Sequence, residues 1–196
     1  MDSGTIIITI IFIAVIVLPF VLTSLSKNRK KSKMLQKISE MASGVNSVVS
    51  EHEFCSDFVV GLDHQLNYIF FYKKNDNREV TQHLNLSGYK SCKAVTYSHT
   101  IREDKSQYHV TDKLELCFYP IDKEKPEVSL DVYNSEFDRL TLTGELQFVE
   151  KWEKMMNERI KLIHKSHSET RITNKMNTAE GRKSPVEKHK KAPQLH

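Results

Sequence analysis

Between residues 79 and 133 several short runs alternate apolar and polar side chains, and this period of two is the strongest local pattern in the chain. A period of two places successive side chains on opposite faces of an extended backbone. The pattern therefore calls for β-strands with one buried face. Residues 57–63 (DFVVGLD) and 66–72 (LNYIFFY) are β-rich runs separated by His64 and Gln65, which suits a tight hairpin. Residues 73–78 (KKNDNR) form a polar turn-like cluster. Over residues 79–86, Val80 and Leu84 fall in phase and His83 lies opposite. Residues 90–97 set Cys92, Ala94 and Thr96 on one face and Lys93, Val95 and Tyr97 on the other. Residues 113–119 turn Leu114, Leu116 and Phe118 inward and Glu115 outward. Residues 127–133 turn Val128, Leu130 and Val132 inward and Ser129 and Asp131 outward. A short seventh strand over residues 137–142 is the last candidate.

The period then changes. Leu146, Val149, Trp152, Met156, Ile160 and Ile163 recur at helical spacing, with Glu150, Lys151, Lys154 and Glu158 on the other side. Thr143 is placed to cap this helix. A helix with one apolar stripe must dock on something, and the open edge or mouth of the preceding sheet is the obvious partner.

This layout, with Val60-Gly61-Leu62-Asp63, Asn67-Tyr68-Ile69-Phe70-Phe71, Leu84-Asn85-Leu86-Ser87 and Phe148-Val149-Glu150-Lys151-Trp152, resembles pleckstrin-homology-like domains of bacterial membrane proteins. The resemblance covers residues 54–163. It implies a mainly β (α+β) fold, in which a six- to seven-stranded antiparallel sheet or barrel is capped by a C-terminal amphipathic helix. It carries over no ligand-binding residues. The family's basic cluster in the first hairpin has no clear counterpart, because Lys73 and Lys74 lie in the next loop beside Asp76 and Glu79. An unrelated small β-sandwich or barrel plus helix fits the same pattern.

Residues 4–23 are 20 residues without a charge. As a helix they would span roughly 30 Å, the hydrocarbon thickness of a bilayer. A cleaved signal peptide wants a basic start and a shorter apolar stretch, whereas this chain starts Met-Asp-Ser. The reading is a transmembrane helix over residues 4–25, preceded by a short extracytoplasmic segment of residues 1–3. Lys27, Arg29, Lys30, Lys31, Lys33 and Lys37 follow the span and no base precedes it. The positive-inside rule then puts the protein in the cell membrane as a single-pass chain, N-terminus outside and the remainder cytoplasmic.

The overall charge of +4 hides an uneven distribution. Residues 27–37 carry +6, residues 38–164 carry −6 and residues 165–196 carry +5. Residues 26–53 form a basic connector in which Met34, Ile38, Met41, Val45 and Val48 make a helical stripe about two heptads long. That is short for a coiled coil, and Gly44 weakens the helix, so an amphipathic helix resting on the domain or the bilayer is the better reading. Residues 54–164 are the β domain with its helix, and residues 165–196 have the composition of a disordered basic tail.

No recognisable catalytic or phosphate-binding motif occurs. Cys55, Cys92 and Cys117 are an odd set without a CxxC pair and read as small buried apolar residues. Only residue type would pair one of them with His83 or His109 as a nucleophile. His164 and His167 lie three apart, but two ligands do not make a metal site. The carboxylate pairs Asp57/Asp63 and Asp131/Glu136 read as solvated charge, turns or strand edges. No catalytic residue, metal or cofactor is expected. The reading is a membrane-anchored, non-catalytic interaction module with a protein partner, the bilayer being met through residues 4–25. A structural subunit of a membrane complex and an enzyme without a recognisable motif are the alternatives. Nucleic acid is not expected, and a homodimer is allowed but unsupported.

Overall fold

The computed structural model describes residues 3–75, 78–103, 106–138 and 141–181, except the side chains of residues 3–11, 14, 19–24, 103, 106 and 170–181. In chain order the described elements are α1 (Ser3–Ser43), β1 (Glu51–Cys55), β2 (Phe58–Leu62), β3 (Tyr68–Lys74) and β4 (Glu79–Asn85). A 3-10 turn (Leu86–Gly88) leads into β5 (Tyr89–Glu103), β6 (Ser106–Pro120), β7 (Val128–Asn134) and α2 (Glu145–Gly181).

The strands form two antiparallel sheets, β1-β2-β3-β4 and β5-β6-β7. They do not join, so the expected single sheet or barrel is corrected to two open sheets of four and three strands. The physical reason lies at the edges, where side chains take the backbone positions that strand pairing would otherwise fill. Period-two burial holds inside the sheets. Phe58, Val60, Leu62, Ile69 and Phe71 face Leu114, Leu116, Phe118, Leu130 and Val132 in one core. Residues 137–142 add no strand among the described residues, whereas β1 lies in a segment that the sequence pattern leaves outside the sheet.

α2 closes this core. Phe148, Val149, Trp152, Met156, Ile160 and Ile163 are buried, whereas Leu146, expected in the stripe, is exposed. Trp152 stacks on Phe148 at 5.5 Å, and Phe148 meets Phe58 edge-on at 4.8 Å. Trp152 Nε1 donates to Glu53 Oε2 at 2.8 Å, so the buried indole has its partner. Thr143 is not the cap: Gly144, with φ 130°, precedes the helix, and Phe148 N donates to its carbonyl. α2 extends past residue 164, the expected end of the domain, to Gly181.

The first sheet is covered on its other face too. Met34, Ile38 and Ala42 of α1 pack on Val59, Phe70 and Tyr72 in a second core. The stripe rests on the domain as a helix through Met41, whereas Val45 and Val48 lie beyond the helix end at Ser43 and Val48 is exposed. A Cβ on Gly61 would lie 2.9 Å from both Ile38 Cδ1 and Val49 Cγ1, so this glycine permits the close approach of α1. Asp63, expected to be a solvated or turn carboxylate, is buried. It accepts from Ser47 Oγ at 2.5 Å and from Gln65 N at 2.6 Å, tying the end of α1 to the β2–β3 turn. Burial would raise its pKa, but these bonds and those from Leu66 and Val48 hold the carboxyl below its ordinary value.

The apolar run of residues 4–23 falls within α1. Within it, only Phe12, Ile13 and residues 15–18 have described side chains, and these are exposed; the rest of the expected span lies outside the described side chains. Among the described residues no helix is long and apolar enough to cross a membrane. The transmembrane helix, and the single-pass cell-membrane placement that depended on it, are corrected accordingly.

Trp152→Ala removes the largest fully buried side chain. It should cost about 3–5 kcal/mol. Chemical denaturation of the two proteins measures this, and an unchanged midpoint would show that α2 is not part of the core.

Candidate binding cleft and the open strand edges

α1 carries its basic turn beyond the sheet that it covers. Lys27, Lys30 and Lys31 line a cleft of about 570 Å3 together with Phe54 and Asp57 from the β1–β2 end, Tyr133 and Asp138 from the β7 end, and Glu145. Lys31 Nζ stands 5.4 Å from the centroid of the Phe54 ring, which holds the turn over the cleft mouth.

All six basic residues singled out from the sequence are exposed. Lys27, Lys30 and Lys31 come together at the cleft. Arg29 and Lys33 flank Lys30 on a neighbouring groove beside Leu25. Lys37 pairs with Glu40 at 3.3 Å, one helical turn away from the others. Among the described residues Lys27, Arg29, Lys30, Lys31 and Lys33 make no ion pair.

The acids of the cleft are differently placed. Asp138 accepts from the buried Lys73, from Asn75 Nδ2 at 2.6 Å and from Asn134 N at 2.7 Å. Glu145 accepts from Thr143 N at 2.5 Å at the start of α2. Burial pushes the Asp57 carboxyl above its ordinary value; Lys73 and, more weakly, Lys30 of the roof oppose that shift, and Asp138 adds to it. Asp138 and Glu145 are thus held by donors of the domain itself, whereas the cations of the roof make no ion pair among the described residues.

Lys73, expected in a turn, is instead the last inward position of β3, in phase with Ile69 and Phe71. That phase is the signal that would have found it. Its ammonium also donates to Val132 O at 2.9 Å, on the outer edge of β7. Gln82 Nε2 donates to Ser129 O at 3.2 Å on the same edge. The β5 edge is occupied from the other side: Asn157 Oδ1 accepts from Cys92 N at 2.9 Å and Asn157 Nδ2 donates to Cys92 O at 2.8 Å. Glu153 Oε2 accepts from Ala94 N at 3.2 Å, and His164 Nε2 lies 3.0 Å from Tyr89 O. Asp131, expected outward and solvated, is buried; its Oδ2 accepts from Arg78 Nη1 at 2.7 Å, and its Oδ1 has no hydrogen-bond partner. Glu115, likewise expected outward, is buried between Lys113 and Ser129.

The cysteines are poorly placed for nucleophilic chemistry, because thiolate formation is disfavoured at each. Burial raises the thiol of Cys55 to about 12 and that of Cys117 to about 11, and it also raises Cys92. His83 stacks on Phe70 at 6.3 Å, and His109 Nδ1 lies 3.2 Å from Thr100 Oγ1. His164 and His167 each contact a backbone carbonyl, at 3.0 and 2.8 Å. Among the described residues no group of three His, Cys, Asp or Glu side chains could hold a metal ion. Comparison with family models, with curated proteins and with solved structures found no match.

Lys73→Met leaves the Asp138 carboxylate buried without its cation, and should cost about 3–5 kcal/mol in denaturant unfolding. Adding Asp138→Asn should recover part of the loss. Equal stability of the single and double variants would show that the pair is not coupled. Asp57 gives a pH signature. Its raised pKa means that the folded state holds the proton more tightly, so stability is lost as pH rises through the folded value. Asp57→Asn should raise the melting temperature at neutral pH. The gain should shrink as pH falls toward the ordinary value of 3.8. A gain independent of pH would contradict this origin.

Proposed function

We propose that the chain is a non-catalytic interaction module whose cleft receives an acidic segment of a partner protein. The observation that carries this reading is the cationic turn of Lys27, Lys30 and Lys31, which overhangs the cleft without an ion pair among the described residues. A low-dielectric wall on one side of such a group strengthens its field toward an incoming anion. The mixed lining suits an extended segment, because Phe54 and Tyr133 offer apolar contact beside the charges. Kinship with pleckstrin-homology-like domains belongs to the same proposal. It is supported by the order of elements, antiparallel strands followed by one C-terminal helix, and not by a closed barrel.

Fluorescence anisotropy with a labelled glutamate-rich peptide as probe, and a glutamine-rich peptide of the same length as control, tests the reading. Binding should be confined to the acidic probe and should weaken with salt. The variant carrying Lys27→Glu, Lys30→Glu and Lys31→Glu should bind more than about tenfold more weakly. The three positions are exposed, so its melting curve should stay that of the parent. Equal binding by parent and variant would sink the assignment of the cleft.

A further inference from the structure

We propose that the free edge of β6, over residues 106–111, pairs antiparallel with the same edge of a second copy of this chain, joining two β5–β6 arms into one four-stranded sheet. β5 and β6 run on together beyond the rest of their sheet, in unbroken register from Ser98↔Thr111 to Glu103↔Ser106. β7 stops earlier, pairing with β6 only from Lys113 to Phe118. Tyr97 faces Lys113 and Ser98 faces Thr111, which leaves Asp112 as an extra residue in β6. Such a bulge bends a strand and changes the direction of the arm beyond it. Ser135 N donates to Asp112 O at 2.8 Å, which ends the covered part of this edge.

Where α2 and the first sheet pass the second sheet, its outer edges are blunted by side chains. Asn157 and Glu153 occupy β5 at Cys92 and Ala94, and Lys73 and Gln82 occupy β7 at Val132 and Ser129. No such contact reaches the β6 edge over residues 106–111 among the described residues. Nor does the segment contain the lysine, proline or bulge that usually protects an exposed edge. A lone two-stranded ribbon is at best marginally stable in water. One face of the arm carries Ile101, Tyr108 and Val110, which are 44%, 54% and 36% exposed.

A second copy suits this edge because the segment complements itself. About a two-fold axis through His109, Tyr108 of each copy stands opposite Val110 of the other, an aromatic pair with a β-branched residue made twice. Residues 107–111 (QYHVT) contain no Lys, Arg, Asp or Glu, so no formal like charges oppose each other across the axis. The apolar faces of the two arms become one continuous strip. Two strands of this length make a small interface, so the dimer is a weak and concentration-dependent one.

Sedimentation velocity of the full chain over a concentration series tests the proposal. The parent should shift from monomer toward dimer as concentration rises. Val110→Lys sets two ammonium groups at the joint and should weaken the dimer more than about tenfold, with an unchanged melting curve. His109→Cys should give a disulfide-linked dimer under mild oxidation, and Gln107→Cys should not, because only residue 109 meets its own copy. A parent that stays monomeric, or a dimer indifferent to Val110→Lys, would overturn the proposal. Equal cross-linking from positions 107 and 109 would overturn the register.

Discussion

Asn157 makes one amide do the work of a neighbouring strand. It accepts from the N–H of Cys92 and donates to the same residue's carbonyl, which are the two bonds that a strand residue would exchange. Much else depends on that substitution. With β5 satisfied from α2, the three-stranded sheet can end there without closing onto the first sheet. The same side of α2 brings Trp152, Met156 and Ile160 into the core between the sheets. Edge satisfaction and core filling are thus properties of one helix, and neither can be had without the other. An unpaired backbone group buried beneath α2 would cost about 1–3 kcal/mol. At the far edge Lys73 does the equivalent work, at the expense of burying an ammonium that then needs Asp138.

The first sheet has a different problem, because both of its faces are apolar. Val60 and Phe71 look into the main core, and Val59 and Phe70 look away from it. Alternation between polar and apolar residues therefore fails along β2 and β3, which are buried almost throughout. A strand of that kind must be covered twice. α1 supplies the second cover through Met34, Ile38 and Ala42, and the absence of a side chain at Gly61 lets it lie close.

These two arrangements explain what could be read from the sequence. The strands around Leu114–Phe118 and Val128–Val132 were legible because their inward residues alternate, and α2 because its stripe has helical spacing. β1, Glu51-His52-Glu53-Phe54-Cys55, was not: it is an edge strand, exposed at its first two residues and half-buried after them, with no apolar period. The outer arm was missed for a similar reason, since His99, Thr100, Ile101 and Arg102 mix polarity without a buried face to order them. Asp131 and Glu115 read as solvated from their phase, yet Asp131 lies under Arg78, 53 residues away, and Glu115 lies between its near neighbour Lys113 and Ser129 of the next strand. Lys73, Gln82 and Asn157 act on backbone groups of distant strands, and contacts of that kind leave no periodicity. Of the cleft, only the cations were visible; its aromatic and acidic walls come from three separate segments.

The cationic turn and the covering helix cannot be separated. Among the described residues of α1, Met34 is the first that is buried, and Lys30 and Lys31 lie about one helical turn before it. The packing of Met34, Ile38 and Ala42 on Val59, Phe70 and Tyr72 therefore sets the height and rotation of the lysines over Phe54 and Asp57. Without that packing the same charges would be a solvated run, of the kind that any basic segment supplies. With it, they are held at one distance from a walled cleft, and the side chains that cover an apolar sheet face are also those that aim the charge.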